Sequence, residues 1–138
     1  MKTGALAMTL LVACSACGGS TRSPTDVVRD WSAALGAYDN VRAASLFAPN
    51  AAIVQGDSLL RLQTERQAVA WNARLPCTGK ITSLKQNGSA VEATFSLHAG
   101  RNRSCRDPAG AEAIAVIVVE HGKIVLWDQI GSQIRLSH

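Results

Sequence analysis

The chain has 138 residues, 47% of them hydrophobic, 17% charged and only 4% aromatic, with four cysteines and a formal net charge of +4. That length supports one ordinary domain, and the apolar fraction is too high for a disordered chain. No apolar stretch approaches the roughly 20 residues of a membrane-spanning helix. The modest charge falls short of the dense basic stripe of a nucleic-acid binder, so no nucleic-acid partner is expected.

At the N-terminus, Lys2 supplies a short positive head and Gly4 to Ala13 an uncharged, mostly apolar run. This is the length of a secretory signal's hydrophobic region. The run ends in Leu11-Val12-Ala13-Cys14, which resembles the bacterial lipobox: an aliphatic residue three before the cysteine and a small one directly before it. The resemblance implies a diacylated Cys14 thiol and a cut before it, making residues 1–13 a signal peptide. It also implies an outward-facing anchor in the bacterial cell membrane, since two or three acyl chains hold where one does not. Cys17, in Cys14-Ser15-Ala16-Cys17, is the alternative lipidated residue, and an ordinary secretory signal without lipid is the plainer one. Residues 14–23, small and polar, read as a flexible tether. The folded domain is expected over residues 24–136.

Ser23 as N-cap, Pro24 at the first helical position and Asp26 three residues after the cap predict a helix start. Val27, Val28, Trp31, Ala34, Leu35 and Tyr38 follow at helical spacing and make one apolar face. Asp39-Asn40 caps a second short helix, Val41 to Phe47, closed by Pro49. Two short apolar runs, Ala51 to Val54 and Leu59 to Leu62, flank a turn at Gly56-Asp57. Thr64 with Gln67 forms a capping box opening a third helix, which carries Ala68, Trp71 and Leu75 and stops before Pro76.

After Pro76 the period changes from helix to strand. Residues 80–86 and 89–98 flank Asn87-Gly88, a strong hairpin signal, and residues 112–120 and 123–135 flank His121-Gly122. A two-residue turn at Asn87-Gly88 sets Thr82 opposite Ala93 and Leu84 opposite Val91, on one apolar face with Phe95 and Leu97. Ser83 opposite Glu92 and Ile81 opposite Thr94 make a polar face with Ser96 and His98. In the last hairpin Ile114, Val116 and Val118 point one way and Ala115, Ile117 and Val119 the other, so both faces read as buried. A central place in the sheet accounts for part of this, and a homodimer contact through the outer face for the rest. A turn at His121-Gly122 sets Asp128 opposite Ala115, on a side with Ile117, Ile124, Leu126 and Ile130.

Three N-terminal helices and a four-stranded antiparallel meander make an α+β fold, with the helices packed on a curved sheet. The element order, the Trp-containing first helix, the run Ala44-Ala-Ser-Leu-Phe-Ala-Pro-Asn-Ala52 and the closing Gly122-Lys-Ile-Val-Leu-Trp-Asp-Gln-Ile130 resemble the nuclear transport factor 2-like superfamily, and within it the SnoaL-like branch. The resemblance covers about residues 24–132 and implies a cone that, in different relatives, hosts isomerases, cyclases, epoxide hydrolases, carriers or plain binding domains. Steroid-isomerase relatives keep a catalytic aspartate on the strand after the second helix. Aligning Asn50-Ala-Ala-Ile-Val-Gln55 with that stretch places Gln55 there, and an amide cannot serve as a base. Asp128, which the SnoaL-like pattern also carries, is the remaining acid/base candidate, although it can equally bond a backbone amide or an arginine. Trp31, Tyr38, Gln55, Trp71 and Asp128 are the candidate pocket residues; for the three aromatics the simpler role is core.

Cys77 falls opposite His98, and Cys105 lies in the loop leaving that strand, so a short reach brings them together as a disulfide. Such a bridge stabilises by about 3–4 kcal/mol on the chain-entropy model. His98, His121 and His138 show no ligand spacing, so neither a metal nor another cofactor is expected. Arg101, Arg103 and Arg106 crowd the same loop as candidate contacts for an anion or lipid headgroup, or simply as a solvated loop. The expected function is an exported, lipid-anchored, non-catalytic domain that binds a small apolar ligand or an envelope partner. The alternative is a SnoaL-like isomerase, cyclase or hydrolase acting on a small hydrophobic substrate through Asp128.

Overall fold

The computed structural model describes residues 22–100, 105–106 and 108–133, so the signal peptide, both candidate lipidation sites, Arg101 and Arg103 lie outside the described residues. The elements are α1 (Pro24–Gly36), α2 (Asn40–Ser45), β1 (Phe47–Gln55), β2 (Ser58–Leu62), α3 (Glu65–Arg74), β3 (Cys77–Asn87), β4 (Ala90–Ala99), β5 (Glu112–Glu120) and β6 (Lys123–Gln133). All three helix starts are set by the expected caps. Ser23 accepts from the Asp26 amide, Asp39 from the Arg42 amide, and Thr64 and Gln67 close a reciprocal capping box. The second helix ends at Ser45 rather than Phe47. The sheet claims the chain there: the Ile124 amide donates to the Leu46 carbonyl at 2.8 Å, and Phe47 opens β1.

The sheet has six strands in the order β2-β1-β6-β5-β4-β3. This corrects the expected four-stranded meander following three helices. The two apolar runs around Gly56-Asp57 form the β1–β2 hairpin between α2 and α3, and β1 joins β6 in parallel, Ile53 against Trp127. A parallel contact between segments so far apart leaves no local signal in the sequence.

Two registers differ from expectation, each for a local reason. The first hairpin turns at Gly88-Ser89, with Asn87 paired to Ala90, because glycine takes the first turn position at φ +60°. That two-residue slide keeps each side chain on its expected face. A bulge at Thr82 then reverses the remainder, so Ile81 pairs with Phe95 and packs on the core, and Cys77 pairs with Ala99 rather than His98. The second hairpin turns at His121-Gly122 as expected, both with positive φ. Past it, Leu126 pairs with Val118 but Ile124 with Val119, leaving Val125 as an extra residue. Asp128 therefore pairs with Val116, not Ala115, and lies with it on the face turned away from the helices, whereas Trp127 and Gln129 face inward.

The inner face closes over an aromatic cluster. Trp31 of α1 lies 5.9–6.4 Å, centroid to centroid, from Phe47, Trp71, Phe95 and Trp127, and these are all the tryptophans and phenylalanines of the chain. Its indole N–H donates to Asn72 Oδ1 at 2.8 Å, and Asn72, 2% exposed, donates in turn to the Ala68 carbonyl. The indole N–H of Trp127 is equally buried but has no hydrogen-bond partner among the described residues. Trp31→Phe removes a satisfied donor and strands the Asn72 oxygen, whereas Trp127→Phe removes a donor with nothing to lose. Chemical denaturation is expected to find W31F less stable than W127F by about 1–3 kcal/mol. Equal losses would show that the bond contributes nothing net.

Candidate functional site: an uncharged cavity in the cone

A cavity of about 140 Å³ opens between the C-terminal half of α1, the end of α3 and the inner face of the sheet. Trp31, Leu35 and Leu75 form its helical side, and Phe95, Leu97 and Trp127 its sheet side. Gly79 on β3 shapes the floor: a Cβ there would meet the Phe95 Cβ at 2.9 Å. Only a residue without a side chain lets the two strands' inner faces come this close.

The polar groups are few and uncharged. Gln55 and Gln129, register partners on the parallel strands β1 and β6, both line the cavity, and Gln55 Nε2 donates to Gln129 Oε1 at 3.3 Å. The Ser32 hydroxyl donates to the Gly79 carbonyl at 3.4 Å. Among the described residues no ionisable side chain lines this cavity apart from Cys77, which is bonded to Cys105 with its Cα 4.8 Å away. The disulfide thus straps the loop after β4 to the start of β3 at the cavity's edge.

The expected site residues divide. Trp31 and Gln55 line the cavity, while Trp71 packs behind it, its ring 5.3 Å from that of Trp127. Tyr38 lies beyond the end of α1 at φ +57°, 41% exposed, beside a separate recess of about 30 Å³. Asp128 is absent from the lining; it sits on the outer face between Val54 and Val116. The expectation that it shares a side with Ile117 and Ile124 is corrected by the Val125 bulge. Arg106 is exposed, and His98 borders a broad surface trough between α1 and β3 with Arg29 and Lys80. Among the described residues no group of three His, Cys, Asp or Glu is placed to hold a metal ion. No helix among them is long and apolar enough to cross a membrane.

Trp127 and Gln129 escape a sequence reading because Leu126 and Trp127 are both apolar. Alternation cannot tell which of the two faces inward until the bulge is placed.

No protein-family model matches the chain, and no curated protein matches it. Solved structures do. An uncharacterized cystatin fold protein from Novosphingobium aromaticivorans shares 18% identity at a TM-score of 0.64, covering 80% of this chain and 99% of that one. An NTF2-like protein of unknown function from Cytophaga hutchinsonii shares 13% at 0.63, covering 80% and 91%. A protein with a ketosteroid isomerase-like fold from Catenulispora acidiphila, solved in complex with trimethylamine, shares 19% at 0.60, covering 80% and 87%. The fold is therefore the nuclear transport factor 2-like, ketosteroid isomerase-like cone, and likeness at this identity defines fold alone.

Gly79→Ala tests the floor. It is expected to destabilise by about 1–3 kcal/mol in thermal or chemical denaturation, because the added carbon is overpacked against Phe95. The control Gly36→Ala, where a Cβ meets nothing within 4 Å, is expected to lose nothing.

Proposed function

We propose that the chain is an exported, lipid-anchored domain of the SnoaL-like kind that binds a small neutral, largely apolar ligand in its cone without acid–base chemistry. The observation that carries this is the cavity wall: aromatic and aliphatic side chains, two amides, one hydroxyl and, among the described residues, no group able to take or give a proton at neutral pH. General acid–base catalysis needs such a group within hydrogen-bond reach of the substrate. The competing reading, an isomerase, cyclase or hydrolase working through Asp128, requires that carboxylate to act from the other side of the sheet.

Size narrows the ligand. A cavity of about 150 Å³ in another protein accommodates one benzene ring, and the cone's 140 Å³ is comparable. Anything larger than a single ring must project through the mouth. The trimethylamine complex of the Catenulispora protein is a precedent for a very small ligand on this fold.

The lipobox-like Leu11-Val12-Ala13-Cys14 and the apolar run before it support export and anchoring, and the Cys77–Cys105 bridge suits an oxidising compartment. Ile114, Val116 and Val118, half-buried on the outer face, support an isologous dimer or an envelope partner there. The exposure of Arg106 supports an anion contact there.

Trp31 and Trp127 line the cavity, so their emission reports its occupancy. Titrating the full-length chain with toluene is expected to give a saturable change in tryptophan fluorescence; a flat response up to the solubility limit would contradict binding. Mass spectrometry of the mature N-terminus is expected to find a diacylglyceryl-modified Cys14. Modification at Cys17 instead would move the anchor, and an unmodified N-terminus would remove it.

A further inference from the structure

The cavity holds more polar capacity than a hydrocarbon site needs. Gln55 ends β1, Gln129 lies opposite it on β6, and the single bond between their amides is the hydrogen bond each side chain makes among the described residues. A primary amide carries one oxygen and one NH₂ group. One bond between two amides therefore leaves an acceptor on one and a donor on the other, and this holds whichever of the two donates.

The other polar side chains at the wall are committed or hidden. The Ser32 hydroxyl is turned to the Gly79 carbonyl, the Trp31 N–H is held by Asn72, and the Trp127 N–H is buried out of reach. What the cavity shows a ligand is thus an aromatic interior with a neutral donor and a neutral acceptor at its mouth, where Gln55 is exposed and Gln129 half-buried. A charged ligand would find no counter-ion among the described lining residues and would lose its hydration. A pure hydrocarbon would gain nothing from the two amides, which would keep their remaining bonds to water at the exposed mouth.

We infer that the Gln55–Gln129 pair is the specificity element of the site, and that it selects a neutral single-ring molecule bearing an amide-like edge. A lactam, an imide or an aromatic carboxamide has such an edge, an N–H donor beside a C=O acceptor. The ring lies among Trp31, Phe95 and Trp127, and the edge engages the two glutamines. This deepens the proposed binding role and depends on it.

The test uses three probes on the full-length chain, toluene, benzamide and benzoate, with tryptophan emission as readout, in the wild type and in Gln55→Leu/Gln129→Leu. Two neutral hydrogen bonds predict that the double variant weakens benzamide roughly tenfold or more. Toluene should bind the variant at least as tightly as the wild type, because two apolar side chains replace amides in the wall, and its saturable response also shows that the variant is folded. Benzoate should bind neither form measurably. If the wild type binds toluene but benzamide affinity is unchanged in the variant, the glutamine pair is only a rung of the sheet and the inference fails while the binding role stands. Benzoate binding more tightly than benzamide also overturns it. If no probe binds the wild type, the binding role itself falls.

Discussion

One buried hydrogen bond organises this domain. The Trp31 indole of α1 meets the Asn72 amide of α3, and both groups are sealed from water, so parting the two helices here would leave the indole N–H and the Asn72 oxygen unsatisfied. Around that fixed ring stand Phe47 from β1, Trp71 from α3, Phe95 from β4 and Trp127 from β6. A chain with 4% aromatic residues thus spends all but Tyr38 of them on one cluster, drawing two helices onto three strands. The cavity lies against this cluster, with Trp31, Phe95 and Trp127 in its wall.

A second constraint decides the chemistry of that space. The extra residue at Val125 turns β6 over as far as a second register shift at Ile130, bringing Trp127 and Gln129 inward and sending Asp128 out. Without it, a carboxylate and not an amide would stand near the mouth. One bulge therefore separates a cone with an acid in it from a cone with none, on a fold whose solved relatives include a ketosteroid isomerase-like protein and one of unknown function. Gln55, at the position where the resemblance led one to look for a catalytic aspartate, falls in the same space and pairs with Gln129.

Much of the fold was legible in the residues because its signals are local. Ser23-Pro24, Asp39 and Thr64 with Gln67 set helix starts through side-chain hydrogen bonds to nearby amides, and the Cys77–Cys105 pairing followed from a strand end and its exit loop. The parallel β1–β6 seam was not legible, since its partners lie far apart along the chain and either strand alone reads only as an apolar run. The bulges at Thr82 and Val125 were illegible for a related reason. An inserted residue among apolar neighbours changes no pattern that alternation can detect, yet each reverses the faces beyond it. Half of the site was therefore visible as Trp31 and Gln55, while Trp127 and Gln129 required the register.

Among the described residues the wall holds rings and amides and no titratable side chain, which is what the proposed receptacle for something small and neutral requires. The most direct measurement is of the small molecules released on denaturing the full-length protein after gentle isolation from the cells that make it. Mass spectrometry should find one neutral compound about the size of a single ring, in near-stoichiometric amount. A charged compound or a long-chain lipid released in stoichiometric amount would contradict the account.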